Sequence, residues 1–85
     1  MTRSPQVRLL ERPDCHLCEV ALAELERMRA EGLAFELERV DIESDDELLR
    51  RHLERIPVIE IEGVEVSALG LDADDFRSRL ATVSA

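Results

Sequence analysis

The 85-residue chain contains only two cysteines and no lysine, tryptophan or tyrosine. Two cysteines are too few for the disulfide framework that stabilises small secreted proteins. No segment approaches the roughly 18 consecutive apolar residues of a membrane-spanning helix, and residues 1–6 lack the apolar core of a signal peptide. We therefore expect a single domain over residues 1–85, a cytoplasmic location and no association with membranes.

Positive charge is also scarce. Eleven arginines stand against 20 aspartates and glutamates, and the formal net charge at pH 7 is −9. Nucleic acid and anionic lipid would repel so acidic a chain, so neither is an expected partner. Hydrophobic residues make up 45% of the chain and charged residues 36%, which is typical of a globular protein rather than a disordered one.

Four segments have the apolar patterns of β-strands, namely 7–11, 35–42, 57–61 and 64–66. In the second segment the alternation changes phase, which predicts a β-bulge near Arg39. The last two segments flank Glu62-Gly63, a pair typical of a tight turn, and are therefore predicted to form an antiparallel hairpin. The first two should be parallel, because a helix connects them.

Three segments have helical patterns, namely 15–31, 44–53 and 72–83. The first helix should end at Gly32. Ser44 and Glu47 have the spacing of a capping box, which predicts Ser44 as the N-cap of the second helix. His52, on the same short polar helix, is predicted to face solvent. Asp72 is the predicted N-cap of the third helix.

The apolar face of the third helix is predicted to consist of Phe76, Leu80 and Val83. We expect Leu25 of the first helix and Phe76 to be core residues, with Ile59 in the sheet between or beside them. The resulting order, β-α-β-α-β-β-α, describes an α/β protein with a mixed sheet.

The two cysteines lie in the sequence Cys15-His16-Leu17-Cys18, between the first predicted strand and the first predicted helix. A helix N-terminus stabilises a thiolate, so Cys15 is the expected nucleophile. Cys18, one turn later, would resolve a mixed disulfide by attacking Cys15, although an apolar core position suits it as well. His16 could stabilise the thiolate when protonated, or could be an exposed residue without a role.

A CxxC motif in a βαβ context is typical of thioredoxin-like redox proteins. With Pro57 at the start of the third strand and Gly63 in the hairpin turn, the chain resembles the glutaredoxins of that superfamily. The stretch 12–19, Arg-Pro-Asp-Cys-His-Leu-Cys-Glu, is especially similar to the bacterial glutaredoxin-like group with a Cys-x-Leu-Cys site. The resemblance covers residues ~7 to ~83 and implies a thioredoxin-like α/β fold with a four-stranded mixed sheet flanked by helices.

The resemblance also implies an activity, namely dithiol–disulfide oxidoreduction by a Cys15–Cys18 pair. The substrates would be protein or low-molecular-weight disulfides, and an external thiol or reductase would supply electrons without a cofactor. We expect a monomer. Four residues are implied to bind substrate, with a cis bond before the proline: Arg12, Arg55, Ile56 and Pro57.

Departures from the glutaredoxins concern glutathione. The chain has His16-Leu17 where they carry Pro-Tyr, and Arg55-Ile56-Pro57 where they usually carry Thr-Val-Pro. Their glutathione-binding Gly-Gly turn and Asp pair are matched only in part, by Gly70, Asp72, Asp74 and Asp75. The redox chemistry is therefore expected to carry over, and glutathione as the reductant is not.

Two other functions remain open. The motif could bind a metal or, in a dimer, an iron–sulfur cluster, or it could belong to an interaction module with little activity. Cys15, His16 and Cys18 are too close in sequence to enclose zinc without an outside ligand. The carboxylates of residues 43–47 are better explained by helix capping than by metal binding.

Overall fold

The structure is a computed structural model and describes residues 4–84 of the chain. Its strands are β1 (Gln6–Glu11), β2 (Glu36–Asp41), β3 (Val58–Ile61) and β4 (Val64–Ala68). Its helices are α1 (His16–Ala30), α2 (Asp46–His52) and α3 (Ala73–Ser84), and a 3₁₀ turn (Ile42–Ser44) joins β2 to α2. The predicted order β-α-β-α-β-β-α is confirmed.

The four strands form one mixed sheet in the order β2-β1-β3-β4. β1 and β2 are parallel, whereas the β1–β3 and β3–β4 pairs are antiparallel, as predicted. The hairpin turn contains Glu62 and Gly63, both with positive φ, which glycine adopts without strain. Within residues 4–84, no helix is long and apolar enough to cross a membrane.

The two central strands, β1 and β3, have buried side chains on both faces of the sheet, since successive residues of a strand point to opposite sides. Leu9 and Ile59 face α1 and α3 in a first buried cluster, here called the α1/α3 cluster. Leu10 and Val58 face α2 in a second one, here called the α2 cluster. The first cluster includes Leu25 and Phe76, which confirms the predicted core, and the Phe76 ring meets Phe35 edge to face at 5.5 Å between centroids. The second cluster includes Cys18, so it reaches the dithiol.

The predicted bulge near Arg39 is wrong. β1 and β2 pair in continuous register from Gln6 opposite Glu36 to Glu11 opposite Asp41. Leu37 packs against the α1/α3 cluster and Val40 against the α2 cluster, so the change of phase is a change of buried face. The irregularity lies instead in the β3–β4 pair, between Ile59 and Glu60.

The predicted N-cap of α2 is wrong by one residue. Ser44 ends the 3₁₀ turn, and its hydroxyl donates to the carbonyl of Asp41 at 2.6 Å. Asp45 is the N-cap, and its carboxylate accepts from the backbone N–H groups of Glu47 and Leu48 at 2.8 and 3.2 Å. Both residues can cap a helix, and the turn leaves the second one at the helix start.

The other predicted helix ends are confirmed. Gly32 follows α1 with a φ of 107°, the conformation that favours glycine after a helix C-terminus. Asp72 precedes α3, and its carboxylate accepts from the backbone N–H of Asp75 at 3.1 Å. Leu71, just before this cap, packs against the α1/α3 cluster.

The prediction that His52 faces solvent is wrong. His52 is only 5% exposed, because it follows Leu48 and Leu49 at helical spacing on the face of α2 that packs against the sheet. Its Nδ1 atom has no hydrogen-bond partner within residues 4–84. Val83, the last residue of the predicted apolar face of α3, is exposed and lies beside Val64 and Val66 of the edge strand β4.

Candidate active site

Cys15 occupies the N-cap position of α1. Its backbone is extended (φ −110°, ψ 103°), and its carbonyl accepts the first helical bond from the N–H of Glu19 at 3.1 Å. The preceding residue, Asp14, has a φ of 60°, a left-handed conformation that aspartate tolerates better than most residues. This turn places the cysteine between the end of β1 and the start of the helix.

The two cysteines form a disulfide with their Cα atoms 5.2 Å apart. The backbone N–H of Cys18 donates to Cys15 Sγ at 3.1 Å. Cys18 is 1% exposed within the α2 cluster, whereas Cys15 is partly exposed at its edge. Of the two sulfurs, that of Cys15 is therefore the one a partner molecule can reach.

The Ile56–Pro57 peptide bond is cis, as predicted. Ile56 belongs to the same buried cluster as Cys18, so the structure brings this segment and the dithiol together. The Ile56 N–H donates to the carbonyl of His52 at 3.1 Å, and the N–H of Leu69 donates to the carbonyl of Arg55 at 2.8 Å. The segment before β3 is thus held from α2 on one side and from the end of β4 on the other.

The two predicted substrate-binding arginines differ in position, and both are paired. Arg12 lines the cavity at Cys15, and its Nη2 lies 2.8 Å from Glu43 Oε2. Arg55 lies on a surface groove beside α2, and its Nη1 donates to Glu65 Oε1 at 2.9 Å. This hydrogen bond lowers the pKa of the Glu65 carboxyl and raises that of the Arg55 guanidinium.

His16 begins α1 and is highly exposed. Its Nδ1 lies 3.8 Å from Glu19 Oε2, one turn along the helix. The contact of the imidazole is with Glu19 and not with the sulfur of Cys15. The influence of a protonated His16 on the Cys15 thiolate therefore remains a prediction.

An open cavity of about 370 Å³ adjoins Cys15. Its acidic lining comes from the loop before α1 (Asp14), the first turn of α1 (Glu19) and the ends of β1 and β2 (Glu11 and Asp41), and the last two residues were not predicted to lie at the site. The position of Glu11 and Asp41 could have been predicted from the parallel pairing of β1 and β2, because this pairing brings the C-terminal ends of both strands together beside the motif.

No group of three or more His, Cys, Asp or Glu side chains within residues 4–84 is arranged to bind a metal ion. The Cys15–Cys18 disulfide leaves neither thiolate available as a ligand in this redox state. The chemistry that the arrangement offers is thiol–disulfide exchange at an accessible sulfur backed by a second, buried one.

Comparisons with known proteins agree with this geometry. Residues 6–81 match the family described as glutaredoxin-like domain (DUF836). A search of the curated proteins finds no match. A thioredoxin variant from Halobacterium salinarum, only 14% identical, shares the fold with a TM-score of 0.70 over 98% of this chain and 77% of that one.

Two bacterial structures are more similar in sequence. A protein from Nitrosomonas europaea, solved by NMR, is 28% identical with a TM-score of 0.79, over 93% of this chain and 94% of that one. A protein from X. campestris, solved by X-ray crystallography, is 31% identical with a TM-score of 0.72, over 89% of this chain and 96% of that one. The chain therefore belongs to the glutaredoxin-like domain family and has the thioredoxin fold.

Proposed function

We propose that this protein is a dithiol–disulfide oxidoreductase that reduces disulfides of other molecules. One observation carries the proposal. Cys15 and Cys18 are joined in a disulfide in which Cys15 is partly exposed at a helix N-terminus while Cys18 is buried. An accessible nucleophile followed by a protected resolving thiol is the arrangement that thiol–disulfide exchange requires.

The proposed reaction has two exchange steps. The Cys15 thiolate attacks one sulfur of the substrate disulfide, the substrate S–S bond breaks, and its other sulfur leaves as a thiolate that takes a proton from solvent. Cys18 then loses its proton and attacks Cys15, which releases the second substrate thiol and forms the Cys15–Cys18 disulfide. Two electrons pass to the substrate, and an external thiol or dithiol reductase restores the reduced pair.

The α1 N-terminus supports the first step. The Cys18 N–H donates to Cys15 Sγ in the disulfide. It is one of the N–H groups in the first helical turn that have no carbonyl partner within the helix. These groups and the positive end of the helix dipole stabilise negative charge on Cys15. Asp14 and Glu19 oppose this effect, because both line the same cavity as the sulfur.

The segment before β3 is the proposed edge for substrate binding. Ile56 and Pro57 are buried against the cluster that contains Cys18, and the Ile56 N–H is already bound to His52. Hydrogen bonding to a substrate backbone is therefore assigned to the carbonyl of Ile56, which accepts no hydrogen bond within residues 4–84.

The test is a disulfide-reduction assay with a neutral substrate such as hydroxyethyl disulfide, with dithiothreitol-reduced protein in single-turnover experiments. The wild type should release both substrate thiols and become oxidised. Cys18→Ser should stop after the first step as a mixed disulfide that mass spectrometry detects, and Cys15→Ser should not react. A Cys15→Ser variant as reactive as the wild type would contradict the proposal, and a wild type that does not react would favour the interaction module.

A further inference from the structure

The cavity beside Cys15 carries more negative than positive groups. It lies where the C-terminal ends of β1 and β2 meet the N-terminus of α1. Its lining includes two cations, Arg12 and Arg39, which are the groups that could receive an anionic substrate. Whether these arginines are free or already paired decides which charge the cavity accepts.

Both arginines are paired with carboxylates of the same chain. Arg39 Nε and Nη2 donate to the Glu11 carboxylate at 2.7 and 3.3 Å, and this hydrogen bonding raises the pKa of the Arg39 guanidinium. Arg12 is held by Glu43, as described above. Each pair is close to neutral, so neither arginine offers uncompensated positive charge to a ligand.

Three further carboxylates line the cavity without such compensation. Asp14 and Asp41 make no ion pair within residues 4–84, and the side chain of Asp41 accepts only the backbone N–H of Glu43, at 2.8 Å. Glu19 faces the His16 imidazole, whose Nδ1 is 3.8 Å away. Asp14 and Glu19 line the same cavity as Cys15, so their negative charges act on a molecule that approaches the sulfur through this cavity.

An apolar surface adjoins the disulfide on another side of α1. Leu17 and Val20 are 53% and 52% exposed, and they line a second depression together with Gly70 and Leu71. Leu17 lies between the two cysteines and points away from Glu19, because residues two apart on a helix do not share a face. A small disulfide in the acidic cavity leaves these apolar side chains in water, whereas a protein segment can cover both surfaces.

We propose that the preferred substrate is a protein disulfide in a segment that carries basic residues on one side of the cysteine and apolar residues on the other. The inference rests on the proposed oxidoreductase function and names its substrate class. Asp14 and Glu19 set the charge preference. The two electrons still pass from the Cys15–Cys18 dithiol to the partner's disulfide, and complementary charge raises the rate of encounter.

The test uses three disulfide peptides of equal length and apolar content, with lysine, glutamine or glutamate next to the cysteine. Reduction of each by pre-reduced protein is followed by stopped flow. At low ionic strength the rate constant for the lysine peptide should exceed that for the glutamate peptide by about tenfold. The ratio should approach one near 0.5 M salt, where charges are screened over about 4 Å.

Single-charge variants locate the effect. Asp14→Asn and Glu19→Gln should each lower the lysine-to-glutamate ratio by about two- to threefold while the glutamine peptide is still reduced. Asparagine suits position 14 because it also tolerates the left-handed backbone there. Glu36→Gln is the matched control, because it removes one charge at the opposite end of β2 and should leave the ratio unchanged.

The outcomes separate the two proposals. Equal rate constants for the lysine and glutamate peptides, or a ratio that Asp14→Asn and Glu19→Gln leave unchanged, would overturn the charge preference. Cystamine, a small cationic disulfide, reduced as fast as the lysine peptide would contradict a protein segment as the substrate. A glutamine peptide that is not reduced, or that Cys15→Ser reduces equally well, would refute the oxidoreductase function itself.

Discussion

The backbone N–H of Cys18 lies 3.1 Å from Cys15 Sγ and donates a hydrogen bond to it. Cys18 therefore donates a backbone hydrogen bond to the sulfur of Cys15, while the side chain of Cys18 itself is buried. After reduction, we expect the same N–H to stabilise a Cys15 thiolate rather than a Cys18 thiolate. We therefore expect the two cysteines to differ in reactivity because of their places at a helix N-terminus.

Alkylation should reveal this difference. In the reduced protein at pH 7, we expect iodoacetamide to modify Cys15 about tenfold or more faster than Cys18, because Cys15 is accessible and its thiolate is stabilised. Peptide mapping after short exposures measures both rates. Cys18→Ser should keep the fast reaction and Cys15→Ser should lose it. Faster labelling of Cys18 would show that the nucleophile is misassigned.

Glutathione should be a poor reductant of the Cys15–Cys18 disulfide. Arg12 and Arg55 are each paired with a glutamate, and the N–H of Ile56 is bound to His52, so few groups remain to hold an anionic tripeptide. The measurement compares reduction of the oxidised protein by glutathione with glutathione reductase and by a thioredoxin-reductase system. Rapid turnover with millimolar glutathione alone would refute this expectation.

Phe76 should contribute strongly to stability. Its side chain is buried between α3 and the sheet and contacts Phe35, so Phe76→Ala should lower the free energy of unfolding by ~3–5 kcal/mol. Urea denaturation measures the change. Val83→Ala, on the same helix but exposed, is the control and should cost less than about 1 kcal/mol. Equal losses for both variants would mean that α3 is not packed as described.

His52 offers a test of the unpaired nitrogen in the α2 cluster. Because Nδ1 is buried without a partner within residues 4–84, an apolar side chain of similar size should be tolerated there. His52→Leu is expected to change the free energy of unfolding by less than about 1 kcal/mol, whereas His52→Ala should cost about 2 kcal/mol or more through the cavity it leaves. A leucine variant as unstable as the alanine variant would indicate that the imidazole makes a required polar interaction.

The Arg55–Glu65 pair should make a pH-dependent contribution to stability. The hydrogen bond from Arg55 lowers the pKa of folded Glu65 below its ordinary value of 4.5, so the stabilisation is present above that pH and is lost as pH falls through the folded pKa. Glu65→Gln should therefore be slightly less stable than the wild type at pH 7, by less than about 1 kcal/mol because the pair is solvent-exposed. The difference should shrink as the pH falls below 4.5.

Denaturation at pH 7 and at a series of pH values below 4.5 measures this contribution. Glu36→Gln serves as the control, because Glu36 makes no ion pair within residues 4–84. A Glu65→Gln deficit that does not shrink as the pH is lowered below 4.5 would show that the carboxylate charge is not its cause.

Periodicity predicts the core of this fold well, because burial repeats along each element. Leu25, Ile59 and Phe76 lie on the apolar faces of their helices and strand, and these faces are buried against each other in the α1/α3 cluster. In β2, periodicity did not predict which face is buried, because Val40 packs against the α2 cluster on the opposite side of the sheet from the α1/α3 cluster. His52 was predicted to be exposed because of its chemistry, although its spacing from Leu48 and Leu49 indicated the buried face of α2.

The candidate active site is predictable only where it is local. Cys15 and Cys18 follow from one motif, and the cis bond before Pro57 follows from the resemblance that the motif established. The pairing of Arg12 with Glu43 and of Arg39 with Glu11 depends on how β1 and β2 are aligned, and an alternating pattern does not determine that register. Arg12 was predicted to bind substrate, but its pairing with Glu43 was not predicted, nor was the place of Arg39 beside Cys15.

The hydrogen bond from Leu69 to the carbonyl of Arg55 constrains how this protein can be re-engineered. Surface loops are ordinarily the places where a fold accepts an inserted tag, linker or epitope. The connection between β4 and α3 is such a loop by position, yet its first residue is tied to the segment that precedes β3. Residues inserted directly before Leu69 would move its N–H away from the Arg55 carbonyl, so a reporter peptide placed at that point would perturb the segment that contains Ile56 and Pro57.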